Sequence, residues 1–269
     1  MRGSRTLAIG LASLGLAAAT PVSAQVQDTT AYLGAMKALV DLVARTDRAA
    51  AASDPVMVRA TSEAEALRAV IGTPKLPITE LSTMNGLCVP ALNVMLGYFD
   101  IGLGARTKAA ATDAARQAIK SQVESENSER YFDQLLPFML LNVRCNAHHM
   151  PVIEAFMASI PAAQTTQEQR DAIVQIHGGA HQQIEGLITA AADPAAGEAR
   201  RQRLLGELVH DVDLMLIPLT PADKAAMTQE LGKLRPSLSV AGKAQADTIT
   251  TALTKSGCGR LCSMAVAAH

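Results

Sequence analysis

The sequence contains no tryptophan, and aromatic residues make up only 3% of it. Proteins that bind single-stranded nucleic acid or carbohydrate usually stack their ligands on aromatic side chains, so both functions are disfavoured. The formal net charge is only −1, and acidic and basic residues are interspersed along the chain. A polyanion-binding protein carries a concentrated basic surface. We therefore expect no nucleic-acid partner.

Several motifs that would identify an enzyme or a cofactor site are also missing. The chain has no Gly-x-Ser-x-Gly nucleophile elbow, no Cys-x2-Cys pair typical of structural zinc and no Cys-x-x-Cys-His haem attachment site. No window alternates with the period of two that marks a half-buried strand, so a phosphate loop that follows a strand is not expected either. The sequence therefore does not decide whether the protein is an enzyme.

The N-terminus has the features of a secretory signal peptide. Arg2 and Arg5 precede an apolar run over residues 7–19, and small residues precede the predicted cleavage site after Ala24. The run is shorter than the ~20 residues that a membrane-spanning helix needs. We predict a signal peptide over residues 1–24, a mature helical domain over residues 25–269 without a transmembrane segment, and a periplasmic or secreted location.

Apolar residues of the mature chain recur at steps of three and four, which is the spacing of a helical face. Breaks rich in proline and glycine separate the periodic segments. Pro137 and Pro151 predict interruptions of the apolar helix that follows Tyr131, and residues 124–130 read as a polar turn. The sequence predicts an all-α fold, an irregular bundle of about eight helices in a single globular domain.

Two helix starts carry explicit capping signals. Thr165-x-x-Glu168 and Thr166-x-x-Gln169 both fit a capping box, in which the hydroxyl and the N3 side chain satisfy backbone groups reciprocally. Thr220-Pro221-x-Asp223 combines a capping hydroxyl, a proline at the first helical position and an acid near the positive helix end. Helices are therefore expected to begin at about residues 166 and 221.

The four cysteines of an exported chain predict two disulfides. One option pairs Cys88 with Cys145 and Cys258 with Cys262. If the helices over 81–103, 107–123 and 131–149 alternate up, down and up, Cys88 and Cys145 lie at opposite ends, which disfavours this option. Pairings that join the C-terminal cysteines to the earlier ones stay open.

His177-Gly178-Gly179-Ala180-His181 places two imidazoles four residues apart on one helical face, as in helical metal sites. Paired glycines cost helix stability, ~2 kcal/mol relative to two alanines, which indicates a packing or binding role for them. The alternative is that the histidines lie at the edge of the apolar face and that the glycines allow a close helix contact.

Two further clusters contain histidine. Cys145-x-x-His148-His149 is predicted to end a helix, where histidines interact favourably with the negative helix end. Glu207-x-x-His210-Asp211 resembles one half of a di-iron helical site, but no second copy exists. The order of His177 or His181, then His210-Asp211, then Asp223 or Asp247 is loosely similar to that of helical metal-dependent phosphohydrolases. A solvated helix face is the simpler interpretation of the segment around His210.

The leading hypothesis is an exported, disulfide-containing helical protein without catalytic activity that binds an envelope protein or a small ligand between helices. The rival hypothesis is a metalloprotein, for example a hydrolase, that holds a divalent transition metal with His177, His181, His210 and Asp211. A third hypothesis is an interaction module with an exposed apolar face around Met139 and Phe156, which are otherwise core residues.

Overall fold

The computed structural model describes residues 29–73, 76, 78–255 and 257–267. The predicted signal peptide over 1–24 lies outside the described residues. The described residues form eleven α-helices and two 3-10 turns with no β-strand, which confirms the all-α class. The helices are α1 Thr30–Thr46, α2 Pro55–Arg68, α3 Leu81–Phe99, α4 Leu103–Thr107, α5 Asp113–Arg130, α6 Phe132–Ser159, α7 Gln167–Ala192, α8 Glu198–Met215, α9 Pro221–Leu234, α10 Val240–Lys255 and α11 Arg260–Ala267.

The predicted number of about eight helices was too low. Helices α4 and α11 have only 5 and 8 residues, and so short a helix contains too few repeats of an apolar face to be recognised from spacing. Both capped helix starts are confirmed: Thr166 forms a capping box with Gln169 at the start of α7, and Thr220 forms one with Asp223 at the start of α9.

Helix α6 corrects two expectations about proline. It runs over 28 residues, Phe132–Ser159, through both Pro137 and Pro151. An internal proline costs ~3 kcal/mol in an isolated helix, but α6 is apolar on several sides and packs Leu135, Phe138 and Leu140 with essentially no exposure. Burial of these side chains outweighs the local cost of the prolines.

The segment over 124–130 is helical and not the expected polar turn, because α5 extends to Arg130. Two of its polar side chains have specific partners. The amide of Asn127 is buried and donates to the carbonyl oxygens of Phe99 and Ile101, each at 2.9 Å, and Glu124 forms an ion pair with Lys120 one turn earlier.

The described chain divides into two compact units, residues 29–145 and residues 146–267, with the boundary inside α6. The expected single domain over 25–269 stays a prediction. Among the described residues, no helix combines the length and the apolar character needed to cross a bilayer.

In the first unit α1 packs against α2 and α3, and α5 packs against α3 and α4. The Tyr32 hydroxyl donates to the carbonyl oxygen of Leu87 at 2.6 Å, and burial raises the pKa of this tyrosine. The Tyr98 and Tyr131 rings meet edge to face with centroids 5.5 Å apart. These contacts join α1, α3 and the start of α6 around one core.

The first unit also contains the Cys88–Cys145 disulfide, with Cα atoms 6.0 Å apart. The expected alternation of helix directions was wrong here. The Tyr98–Tyr131 contact places the end of α3 beside the start of α6. Cys88 lies ten residues before Tyr98, and Cys145 lies fourteen residues after Tyr131. At ~1.5 Å per residue, these separations correspond to roughly 15 and 21 Å along the helices, measured from the same end. The two helices therefore run antiparallel, and the cysteines meet.

In the second unit α7 packs against α8, α9 and α11, and α10 packs against α8 and α9. The Cys258–Cys262 disulfide, with Cα atoms 5.2 Å apart, joins the loop before α11 to the first turn of that helix. The local pairing of the four cysteines is therefore the one present. The five described histidines all lie in this unit.

Candidate functional site

The two histidines of the predicted pair face a carboxylate on α9. His177 and His181 lie one turn apart on α7, and Asp223 is the third residue of α9. His177 Nε2 lies 2.7 Å from Asp223 Oδ2, and His181 Nε2 lies 3.6 Å from Asp223 Oδ1. The i,i+4 spacing puts both imidazoles on the same face of α7, and the packing of α7 on α9 brings them to one carboxylate.

Asp223 is held in place by its own helix start. Its carboxylate accepts hydrogen bonds from the Thr220 backbone amide at 2.9 Å and from the Thr220 hydroxyl at 2.5 Å. Burial by itself would raise the pKa of Asp223, but the hydrogen bonds from Thr220 and His177 outweigh burial and the pKa lies below its usual value. An ionised carboxylate only accepts, so His177 Nε2 carries the proton of the shared hydrogen bond.

A pocket of about 320 Å³ lies between α7 and α9, beside this histidine pair. Its apolar wall includes Ile188, Met227 and Leu234, and its polar groups include Glu230 and Lys233, which form an ion pair. His181 lines the pocket, and its neighbours His177 and Asp223 are on the same two helices. The residues that line it are His181, Glu185, Ile188, Thr189, Ala192, Ala226, Met227, Glu230, Lys233, Leu234 and Ser237.

Gly178 and Gly179 do not mediate a close helix contact. A Cβ atom added at either glycine would meet no atom within 4 Å among the described residues. The expectation that these glycines allow close packing was therefore wrong for the described chain. The space that a Cβ atom would occupy at each glycine is open.

A second cluster surrounds Asp211, which lies at a kink of α8 with φ −123°. His210 Nδ1 lies 2.7 Å from Asp211 Oδ1, and His148 Nε2 lies 3.4 Å from the same oxygen. The Asp211 side chain is only 3% exposed, whereas that of His210 is 55% exposed. The solvated-face interpretation is correct for His210 but wrong for Asp211 and for Glu207, which is also buried.

His148 and His149 lie in the interior of α6 and not at a helix end, because α6 continues to Ser159. They therefore do not interact with the negative helix terminus as expected. His149 is buried at 7% exposure, and His148 belongs to the Asp211 cluster.

The four predicted metal ligands fall into two separate pairings. His177 and His181 pair with Asp223, whereas His210 and Asp211 pair with each other. Among the described residues, no group of three or more His, Cys, Asp or Glu side chains is arranged to hold a metal ion. Metal binding by these residues stays a prediction, which elemental analysis of protein purified without chelator would test.

Other candidate residues have ordinary structural surroundings. Asp247 forms an ion pair with Arg235, with Nε and Oδ1 2.7 Å apart. Met139 and Phe156, which could have formed an exposed apolar face, are both half-buried.

Sequence reasoning missed Lys224 and Glu154. Lys224 is 5% exposed, burial lowers its pKa, and its Nζ donates to the carbonyl oxygen of Gly257 at 2.8 Å. Glu154 accepts from the backbone amides of Arg260 and Leu261 at the start of α11. Partners more than 30 residues away define both roles, and no local spacing marks such partners.

Comparison with protein-family models, with curated proteins and with solved structures finds no match to this chain.

Proposed function

We propose that this chain is an exported, disulfide-containing helical protein that binds a small ligand in the pocket between α7 and α9. The observation that carries the proposal is the pocket itself, which lies beside the His177–Asp223–His181 cluster. Its volume of about 320 Å³ falls in the range of ~300–1,000 Å³ that small-molecule sites occupy.

The composition of the pocket walls indicates the kind of ligand. Ligand sites combine a mainly apolar lining with a few polar groups that orient the ligand. Here Ile188, Met227 and Leu234 supply the apolar wall, and His181 supplies a hydrogen-bonding group at the histidine end. The ligand that fits is a small molecule with an apolar body and at least one polar group, because the lining also includes Glu185, Glu230 and Lys233.

Export is consistent with the cysteine chemistry. Disulfides persist in oxidising compartments, and the described chain has two disulfides and no free cysteine. The signal-peptide pattern over residues 1–24 supports the same location. Determination of the N-terminus of the protein recovered from the periplasm or medium tests this part, and an N-terminus at Met1 would contradict it.

A matched pair of substitutions tests the pocket. Ala225 and Ala226 are adjacent and exposed on α9, but only Ala226 lines the pocket. Ala226→Leu fills the pocket, whereas Ala225→Leu adds the same side chain outside it. Straight-chain amines, alcohols and carboxylates of equal chain length serve as probes in thermal denaturation, because a ligand that binds only the folded state raises Tm.

We expect at least one probe class to raise the Tm of the wild type and of Ala225→Leu, and to leave the Tm of Ala226→Leu unchanged. Two results would contradict the proposal. One is that no probe class shifts the wild-type Tm, and the other is that Ala226→Leu responds like the wild type.

A further inference from the structure

The two disulfides differ in how exposed their cysteine residues are. Cys88 and Cys145 are 4% and 0% exposed, so both ends of that disulfide are buried. Cys262 is also 0% exposed, but Cys258 is exposed at the surface of the second unit. The rate of thiol–disulfide exchange depends on access to the sulfur that is attacked, so an external thiolate can reach only Cys258.

The loop that carries Cys258 is anchored independently of the disulfide. The carbonyl oxygen of Gly257 accepts from Lys224 Nζ on α9 at 2.8 Å. On the other side of the loop, the Glu154 carboxylate on α6 accepts from the backbone amides of Arg260 at 2.5 Å and Leu261 at 2.8 Å. Gly257 precedes Cys258, and Arg260 and Leu261 lie between the two cysteines, so these bonds do not involve the sulfur atoms and do not require the S–S bond.

Two further hydrogen bonds involve the same segment. Arg260 Nη2 donates to the Thr165 hydroxyl at 3.2 Å, and the Ser263 hydroxyl donates to the carbonyl oxygen of Gly259 at 2.7 Å. Lys224, Glu154 and Thr165 therefore hold the loop and the first turn of α11 by hydrogen bonds, and the Ser263–Gly259 bond is internal to this segment. The reduced loop keeps Cys258 and Cys262 near each other, so the dithiol can close again.

We propose that Cys258–Cys262 is a redox-active disulfide that exchanges with an external dithiol through the exposed Cys258 sulfur, while Cys88–Cys145 is a structural disulfide. This inference does not depend on ligand binding in the pocket.

The exchange proceeds in two steps. A thiolate of the external dithiol attacks Cys258 Sγ and forms a mixed disulfide, and the Cys258–Cys262 bond breaks so that Cys262 leaves as a thiolate and takes up a proton. The second thiolate of the external dithiol then attacks the sulfur of the mixed disulfide that came from the same dithiol, and the bond from that sulfur to Cys258 Sγ breaks. Cys258 is released as a thiolate and protonated, and the external dithiol becomes a cyclic or linked disulfide. Two electrons pass from the external dithiol to the protein.

The first test measures the reduction of the full native protein by dithiothreitol. Samples taken over time are quenched with iodoacetamide, and peptide mass spectrometry quantifies the alkylation of each cysteine. We expect Cys258 to be alkylated at least about ten-fold faster than Cys88 and Cys145, because Cys258 is the exposed cysteine of the two disulfides and exchange depends on access to the attacked sulfur. Equal rates for the two pairs, or faster reduction of Cys88–Cys145, would overturn the proposal.

The second test identifies the sulfur that is attacked. Cys262→Ser leaves Cys258 as a free exposed thiol, and Cys258→Ser leaves Cys262 as a free buried thiol. Oxidised glutathione should form a mixed disulfide with Cys262→Ser at least about ten-fold faster than with Cys258→Ser. Circular dichroism checks that both variants are folded. The same rate in both variants, or the reverse order, contradicts attack at Cys258, and the first test is independent of whether either variant folds.

The third test concerns the anchored loop. After reduction of Cys258–Cys262 alone and removal of the dithiol, oxidised glutathione should restore this pairing quantitatively without unfolding the protein. Recovery that requires complete unfolding, or pairing of Cys258 with another cysteine, would show that the anchors do not hold the reduced loop.

Discussion

The two units bury different kinds of side chain. In residues 29–145 the interior is made of aliphatic and aromatic groups such as Leu39, Tyr98 and Phe138, and Arg144 is the buried charged residue among those described. In residues 146–267 several ionisable side chains are buried as well. They are His149, His177, Glu207, Asp211 and Lys224.

This difference indicates that the two units have different roles. Burying an ionisable group costs free energy unless it is paired, and in the second unit those groups are held by specific partners: His177 by Asp223 and Lys224 by the Gly257 carbonyl oxygen. Helix α9 both lines the pocket and, through Lys224, anchors the loop of Cys258. We infer that the first unit is mainly a packed scaffold and that ligand binding and redox exchange belong to the second.

The disulfides follow the same division. In the chain-entropy model, closing the long Cys88–Cys145 loop stabilises the fold by about 4 kcal/mol, whereas the short Cys258–Cys262 loop contributes about 2 kcal/mol. Because the short loop contributes less to stability and has an exposed end, it is the one suited to reversible exchange.

The largest effect is expected from truncation of the first unit's core. Leu39 on α1 is 0% exposed, and Leu33 on the same helix is 40% exposed. Leu39→Ala should lower the free energy of unfolding by about 2–5 kcal/mol because it leaves a cavity, and Leu33→Ala should change it by less than about 1 kcal/mol. Urea denaturation followed by circular dichroism measures both. Similar losses from the two variants would contradict a scaffold held by buried apolar contacts.

The next effect concerns Asp223, a half-buried carboxylate of the second unit. Asp223→Asn keeps the shape of the side chain but removes the charge that pairs with His177. We expect a loss of about 1–3 kcal/mol in unfolding free energy at neutral pH, and a change within about 0.5 kcal/mol for the exposed Asp213→Asn on α8. An equal response of the two variants would show that the Asp223–His177 pair does not stabilise the second unit.

The pH dependence of this loss has a defined sign. Because folding lowers the pKa of Asp223, its contribution to stability is fully present above the usual aspartate pKa of ~3.9. That contribution disappears as the pH falls through the lowered pKa. The difference in unfolding free energy between wild type and Asp223→Asn should therefore shrink in acid. A difference that stays constant from neutral pH to strongly acidic pH would show that the carboxylate charge is not responsible.

A smaller effect is expected in the loop that carries Cys258. A Cβ atom at Gly259 would overlap the Glu154 carboxylate, whereas a Cβ atom at Gly257 would meet nothing within 4 Å. Gly259→Ala should displace the carboxylate from the Arg260 and Leu261 amides and cost roughly 1–2 kcal/mol. Gly257→Ala is the matched control. Thermal denaturation that ranks the two variants equally would contradict the anchoring role of Glu154.

The smallest expected effect is a gain in stability. Gly178 and Gly179 lie in the interior of α7 with open space around the position of a Cβ atom. Either glycine replaced by alanine should raise the free energy of unfolding by up to ~1 kcal/mol through helix propensity. Gly206→Ala on α8 should gain less, because its Cβ would lie 3.2 Å from Gln245 Nε2. Destabilisation by Gly178→Ala, measured by urea denaturation, would show that this position requires glycine.

Much of the fold could be predicted from local pattern. The apolar periodicity predicted the long helices, and the hydroxyl and acid spacing predicted the starts of α7 and α9. Pro137 and Pro151 wrongly predicted interruptions of α6. The free-energy cost of an internal proline is visible in the local sequence, whereas the tertiary burial of the α6 side chains that offsets this cost is not. The short helices α4 and α11 were missed because one or two turns carry no repeated spacing.

The candidate site could be predicted only in part. The spacing of His177 and His181 correctly placed them on one face of a helix, and the sequence drew attention to that helix. It also grouped them with His210 and Asp211 in one metal set, whereas the structure pairs Asp211 with His148 and His210. Asp223 was predicted as part of a helix start and, as an alternative to Asp247, as the last residue of the phosphohydrolase-like order, but its hydrogen bond with His177 was not predicted.

The sequence by itself determined the all-α class, the main helix starts and which residues share a helical face, because these depend on side chains three or four positions apart. Only the tertiary structure decided that Asp223 meets His177, that Cys88 meets Cys145 and that Cys258 is exposed. Partners that lie 46 and 57 residues apart are brought together by the directions and packing of whole helices, which no short stretch of sequence encodes.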